Sequence, residues 1–433
     1  MTARQLALQT LVDGHYVSDR LHAQCERHHL SDADRRLYMQ LVLGVVENKL
    51  LLDYYISRIS STKLSKMDPE VLWILRLGIY QIRFTEIPDF AAVNESVNLA
   101  KMRLRPQLVR FVNGVLRSYL RQPEIPLPKD PVERMSLEYS HPKWIVRMWE
   151  KRYGLAFTAS LLQANNQTPS LSLRVNTSRT SIADFERRLV DAGIRAHRSD
   201  LAETGVVIDD LAGHRLTEIP GFADGDFIVQ DEASQQVVNL WKQRGTIVPD
   251  SVRMAIDVCS APGGKTTHLL ETLKVCGNSA EVQAFDIHPR KLLTVVENAE
   301  RLRLEDALRA RLVDALEPDS ALFETADLIL VDAPCSGLGI IRKKPEIRFN
   351  RTENDMETLA ALQKSILSNA SKYAKIGSNL LYSTCTISET ENQHVVAGFL
   401  SENPDFRLIE EREYFPHLHG CDGFYIALLE KTR

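Results

Sequence analysis

The 433-residue chain has no CxxC pair; its six cysteines, Cys25, Cys259, Cys276, Cys335, Cys385 and Cys421, are scattered along it. Neither a zinc ribbon nor a disulfide framework is indicated, no metal is expected, and reduced thiols in a cytoplasmic protein fit best. There is no run of about 18 apolar residues. The segment MTARQLALQTLVDGHY is amphipathic and lacks the apolar stretch of a secretory signal. Membrane spanning and secretion are therefore not expected. Strong charge is also missing: the formal net charge is -4, with 44% hydrophobic and 25% charged residues. Bulk charge thus gives no pointer to nucleic acid, and only local charge can. The length favours two or three domains over one core.

What is present first is helix. From Ala3 to about Arg121, apolar residues recur at helical spacing (Leu6, Leu8, Leu11, Val12; Leu37, Leu41, Val45). Ser31 before Asp32-Ala-Asp34 has the form of an N-cap, and Asp68-Pro69-Glu70 opens another helix. An all-α bundle of five to seven helices is expected, without catalytic residues. Its last two helices carry Lys101, Arg103, Arg105, Arg110, Arg117 and Arg121 with no acid between them. An isolated charge run is usually a solvated face. Six cations without compensation point as readily to phosphate contact.

Gln122 to Pro131 holds four prolines in ten residues, an extended connector and the clearest boundary. Ser172-Leu-Arg174-Val-Asn176, Val206 to Asp209 and Phe227 to Asp231 read as short strands, and Thr180 to Ala192 as a helix. The domains expected are an all-α unit over 1–125, a linker with a small α/β unit over 126–235, and a larger domain over 236–433. Polar residues near strand ends, Arg174 and Asn176 among them, are either turn and cap chemistry or contacts to RNA.

From about Ser251, strands and helices alternate. Strands are expected over 254–258, 282–286, 310–314, 328–332 and 379–383, with an added antiparallel strand over 423–430. Repeated βα units of this kind predict a doubly wound, Rossmann-like parallel sheet of α/β class. The first strand runs into Cys259-Ser260-Ala261-Pro262-Gly263-Gly264-Lys265-Thr266. Such a turn brings backbone N–H groups to a ligand at a helix start. A phosphate-binding P-loop needs a glycine where Cys259 stands, which disfavours a nucleotide triphosphatase. Asp286 lies roughly 20 residues further on, at a strand end suited to ribose hydroxyls. Asp314 ends the third strand and Asp332 the fourth. Three strand-terminal acids after one glycine turn describe a pocket for an adenosine-bearing cofactor, and S-adenosylmethionine suits it.

Cys335 follows the fourth strand and Cys385 the fifth. A free cysteine is most often a small buried hydrophobe. Two at the ends of adjacent strands, beside Asp332, fit covalent chemistry on a cytosine. C5 of that base becomes nucleophilic only after a thiolate adds to C6, and a base must then remove the C5 proton.

Cys259 to Lys265, Asp332-Ala-Pro-Cys335-Ser-Gly-Leu-Gly339 and Ser383-Thr-Cys385 resemble the motifs of RNA cytosine-5 methyltransferases. Val93 to Lys101 and Phe111 to Arg117 resemble segments of the NusB-type antitermination domain. The overall plan is similar to the bacterial 16S ribosomal RNA cytosine-C5 methyltransferases that carry such an N-terminal domain. The resemblance implies that Cys385 is the nucleophile and that Cys335 assists release. It implies cofactor contacts at Cys259 to Lys265, Asp286, Asp314 and Asp332. It also implies an RNA-binding role for Lys101, Arg103, Arg105, Arg110 and Arg117. Val313-Asp314-Ala315 departs from the family in lacking a flanking glycine. Arg342, Lys343 and Lys344, in a loop of five cations and one acid, are expected to steer phosphates, as is Arg174. The expected partner is 16S rRNA or a small-subunit assembly intermediate, bound by a monomer. A non-catalytic RNA-binding assembly factor remains the alternative reading.

Overall fold

A computed structural model describes residues 1–14 and 17–433. They form two compact units. The first comprises Met1–Gln167 with Ile341–Arg351, and the second Thr168–Ile340 with Thr352–Arg433. No helix among the described residues is long and apolar enough to cross a membrane.

In the first unit, seven helices among the described residues lie between Ala3 and Arg121. Their ends follow local chemistry. Thr2 and Gln5 form a capping box, Ser31 accepts from the Asp34 amide, and Asp68 accepts from the Glu70 and Val71 amides ahead of Pro69. Their apolar faces meet in one core that includes Leu41, Leu52, Ile74 and Leu116. Three further helices, Pro131–Glu138, Lys143–Tyr153 and Leu155–Ala164, belong to this unit, whereas the proline connector placed the expected boundary ahead of them.

The cationic stretch Ile341–Arg351 is also part of the first unit, and the burial of Arg342 there corrects the expectation that this residue steers phosphates. Glu346 accepts from the amide (3.2 Å) and hydroxyl (2.8 Å) of Ser18, at the start of the helix Val17–Arg27. Lys344 is paired with Asp19 at 2.7 Å, and Arg342 is 9% exposed. Arg348 is fully buried, its Nη1 donating to the Asn166 side chain and to the carbonyls of Tyr139 and Ser140. The guanidinium groups of Arg342 and Arg348, buried in this way, are held away from RNA phosphates.

In the second unit, β1 (Leu171–Val175), β2 (Arg195–Arg198), β3 (Gly205–Asp210) and β4 (Phe227–Val229) form an antiparallel sheet ordered β2-β3-β1-β4. The helix Ile182–Asp191 covers it, burying Phe185 and Leu189 against Leu173, Val175 and Phe227. The larger sheet comprises β5 (Met254–Asp257), β6 (Glu281–Asp286), β7 (Leu308–Leu312), β8 (Ala326–Asp332), β9 (Ala374–Thr384), β10 (Phe406–Tyr414) and β11 (Phe424–Lys431). Its order is β10-β11-β9-β8-β5-β6-β7. β5 to β9 pair in parallel, while β11 and β10 add antiparallel at one edge.

The chain order reverses between β5 and β8, and ligands of open α/β sheets bind beyond the strand ends at such a point. β10 escapes sequence reading because it is an edge strand: FRLIEEREY buries only its two end residues. β7 ends at Leu312, opposite Asp286 where its partner β6 ends, rather than at Asp314.

Candidate active site

The strand ends beside the reversal carry the chemistry. β8 and β9 pair with Asp332 opposite Ser383. Cys335 and Cys385 therefore stand three and two residues beyond neighbouring positions, and their sulfurs lie 3.4 Å apart. The loops are tied by backbone. Gly339 N donates to Cys385 O (3.0 Å), and Gly423 N donates to Gly339 O (2.8 Å). A Cβ at Gly339 would collide with the Gly423 carbonyl, so glycine is required where these loops cross. Hydrogen bonding to Cys385, burial, and the carboxylates of Glu391 and Asp332 push the Cys335 thiol well above its usual range.

Asp332 bridges the thiols and the glycine turn. Its Oδ1 accepts from Ser383 Oγ at 2.8 Å, and its Oδ2 pairs with Lys265 Nζ at 2.6 Å. Lys265 Nζ also lies 5.0 Å from the centroid of the Phe424 ring. Beneath the turn, burial pushes the Asp257 carboxyl up to about 7, although Thr266 Oγ1 donates to it. Burial and four surrounding aspartates push the Cys259 thiol far up, so it is not an available nucleophile.

On the other side of the reversal, a cavity of about 380 Å³ is lined by Cys259, Ala261, Asp286, Asp314 and Asp332, by apolar Ile287, and by His288 and Lys291. The structure thus brings together five of the expected cofactor residues. The rest of the turn supports the cavity instead of lining it. Ser260 donates through both N and Oγ to Phe285 O. Gly263 takes φ +102° and packs against Val295. Pro262 and Gly264 do not border the cavity, and Lys265 faces Asp332.

Arg174 requires correction. It is fully exposed to protein and not to solvent, with 0% accessibility, which excludes RNA contact. Nε pairs with Glu271 (3.1 Å), Nη2 donates to Thr267 Oγ1 (3.1 Å), and Nη1 donates to Gly264 O (2.7 Å) and to Gln230 Oε1. It is a strut from β1 under the glycine turn. Sequence reading also missed Glu391, Gln363 and Phe424. Only the acid run Glu389-Thr-Glu391, close behind Cys385, hinted at the first.

A parallel sheet with this order, a glycine turn after β5 and acids ending the following strands define a Rossmann-like methyltransferase. Comparison with known proteins places it more narrowly. A family model described as 16S rRNA methyltransferase RsmB/F matches residues 246–430, NusB family matches 1–121, and a RsmF/B-like ferredoxin-like domain matches 141–212. The Bacillus subtilis (strain 168) protein named probable ribosomal RNA small subunit methyltransferase B is 35% identical, with 99% of each chain covered. The crystal structure of PH0851 superposes with a TM-score of 0.82 at 23% identity, covering 100% of this chain and 99% of that one. NSun6 from Pyrococcus horikoshii, solved with SFG, gives 0.58 at 21% identity, covering 67% and 98%. The chain belongs to the RsmB/F methyltransferase family and is S-adenosylmethionine-dependent.

The residues present fit that cofactor. The cavity offers carboxylates for hydroxyl and amino groups, apolar walls for a flat ring, and no cluster of cations suited to a triphosphate. Asp286, Asp314, Asp332, Cys259 and Ala261 are the residues that would hold it.

Proposed function

We propose that the chain methylates C5 of a cytosine in 16S ribosomal RNA through a covalent adduct on Cys385. The observation that carries this reading is the 3.4 Å separation of two thiols beside Asp332. The substrate class rests on the names of the relatives.

The Cys385 thiolate adds to C6, forming an S–C6 bond and moving the ring electrons toward C5, while N3 receives a proton through Asp332. Lys265 and Ser383 fix the Asp332 carboxyl for that contact. S-adenosylmethionine supplies, when bound, the electrophilic methyl group that C5 takes. A base then removes the C5 proton. The C5–H electron pair rebuilds the C5=C6 double bond, the S–C6 bond breaks, and N3 returns its proton. Cys335 is placed to take the C5 proton and so to free Cys385.

Lys101, Arg105, Arg110 and Arg117 stand exposed on the last two helices of the bundle and are proposed to contact RNA phosphates. Arg103 is partly engaged by Glu70. Base flipping is cheapest for an unpaired nucleotide, so the target cytosine is expected in a loop or junction. Incubating the protein with labelled S-adenosylmethionine and 16S RNA, followed by bisulfite sequencing, tests the reading. One protected cytosine is expected. Label transfer to another base, or none, contradicts it.

A further inference from the structure

The mechanism above uses groups at the surface of the strand ends and leaves a carboxylate buried directly behind them. Glu391 is 0% exposed. Its Oε1 accepts from the amide of Ser336 (2.7 Å) and from Gln363 Nε2 (3.0 Å), and its Oε2 accepts from Ser336 Oγ (2.6 Å). Ser336 is the residue after Cys335, and Gln363 Nε2 also donates to the carbonyl of Pro334, the residue before it (2.9 Å). The peptide on either side of Cys335 is therefore held from one carboxylate. The second thiol loop touches the same group more weakly, through Thr386 Oγ1 at 3.4 Å. Glu391 itself is anchored by Tyr382 OH, which donates to its carbonyl at 2.7 Å.

A buried acid with this many partners is costly to desolvate, and a structural role is served as well by neutral groups. Both of its oxygens are used to set one loop. We infer that Glu391 is a positioning residue for Cys335, holding that sulfur where it meets the C5 proton of the adduct. The inference rests on the cytosine reading proposed above. In the step concerned, Cys335, having first given its own proton to water, takes the C5 proton, the C5–H pair forms C5=C6, and the S–C6 pair returns to Cys385. The proton later passes from Cys335 to water. Both direct bonds from Glu391 to Ser336 are short, whereas the Cys385 loop reaches Glu391 directly only at 3.4 Å and otherwise through the Ser336 hydroxyl, 2.7 Å from Thr386 Oγ1, so the effect of Glu391 falls first on the Cys335 loop.

Gln in place of Glu391 keeps the shape but turns an NH2 toward the donors of Ser336. A displacement of about 1 Å in a reacting group costs on the order of 10²-fold in rate. The test compares wild type, Glu391→Gln and Ser336→Ala on 16S RNA, following protein–RNA adducts on denaturing gels, turnover, and S-adenosylmethionine affinity by calorimetry. Both variants are expected to form adduct at the wild-type rate, accumulate it, turn over about 10²-fold more slowly for Glu391→Gln, and bind cofactor as wild type does. Should Glu391→Gln not fold, Ser336→Ala carries the same expectation with a smaller loss. Release at the wild-type rate overturns the inference. Equal slowing of adduct formation and release, with weakened cofactor binding, also overturns it and leaves Glu391 a fold-stabilising residue only. Absence of adduct from wild type on 16S RNA containing 5-fluorocytidine, where release is blocked, contradicts the cytosine reading itself, which separates the two failures.

Discussion

The two sides of the strand-order reversal are built differently. At the ends of β6 and β7, each acid is folded back on its own loop. His288 N donates to Asp286 Oδ1 (2.8 Å), and Leu316 N donates to Asp314 Oδ1 (2.9 Å). These carboxylates are half-buried around an open cavity, and they are set by local turns. At the ends of β8 and β9, the thiol loops are tied to each other and to one helix start by buried side chains. Glu391 holds Ser336, and Thr384 Oγ1 donates to Asn392, which donates back to Thr386 O. A ligand that binds and leaves is served by an open, locally satisfied rim. A bond that forms and breaks needs atoms fixed to fractions of an ångström, which a connected network supplies.

If this division is real, damage should sort by side. The largest effect after loss of Cys385 is expected for Cys335→Ala. Turnover should fall on the order of 10²-fold or more while adduct accumulates, with S-adenosylmethionine affinity unchanged in calorimetry. A parallel loss of affinity would erase the distinction.

Arg174→Met probes the strut shared by the small sheet and the glycine turn. It leaves Glu271 buried without its cation, which costs about 3–5 kcal/mol, offset in part by the Thr177 amide and hydroxyl that also donate to it. Urea denaturation should show that loss, along with weaker cofactor binding. Asp286→Asn is expected to be smaller still and confined to the rim: affinity falls by about 1.5–3 kcal/mol, and adduct formation recovers at saturating cofactor.

The smallest effect concerns pH. Burial holds His141 in the first unit and His268 in the second well below the ordinary histidine value of 6.5, with Arg348 and Arg174 respectively adding repulsion. The unfolded chain then binds more protons than the folded one below that value. Stability is present above it and is lost as pH falls, at about 1.4 kcal/mol per pH unit for each histidine. Melting curves between pH 7 and pH 5 check the sign for His141. In the second unit Asp257, pushed up to about 7, takes up a proton in the folded state over the same range and offsets His268, so His268→Gln should leave that unit gaining stability as pH falls.

Much of this was legible in the chain because strand and chemistry coincide there. Leu328 to Asp332 reads as a buried parallel strand, and its following Pro-Cys and glycines locate one thiol. Helix caps at Ser31 and Asp68 were equally plain. What stayed hidden depends on long-range contact. Arg174 and Arg348 look like surface cations, since sequence carries no sign of the carboxylate and carbonyls that enclose them. Glu391 reads as one of several acids near a helix start until its contacts, 28 and 55 residues away, are known. β10 fails the alternation test because water covers most of it.

The account stands on which sulfur bonds to the base. Wild type, Cys335→Ala and Cys385→Ala, each incubated with S-adenosylmethionine and 16S RNA containing 5-fluorocytidine, can be denatured and weighed intact. Fluorine at C5 cannot leave as a proton does, so the adduct persists. RNA-linked protein is expected from wild type and Cys335→Ala and not from Cys385→Ala. Linkage that survives in Cys385→Ala and vanishes in Cys335→Ala would contradict the assignment.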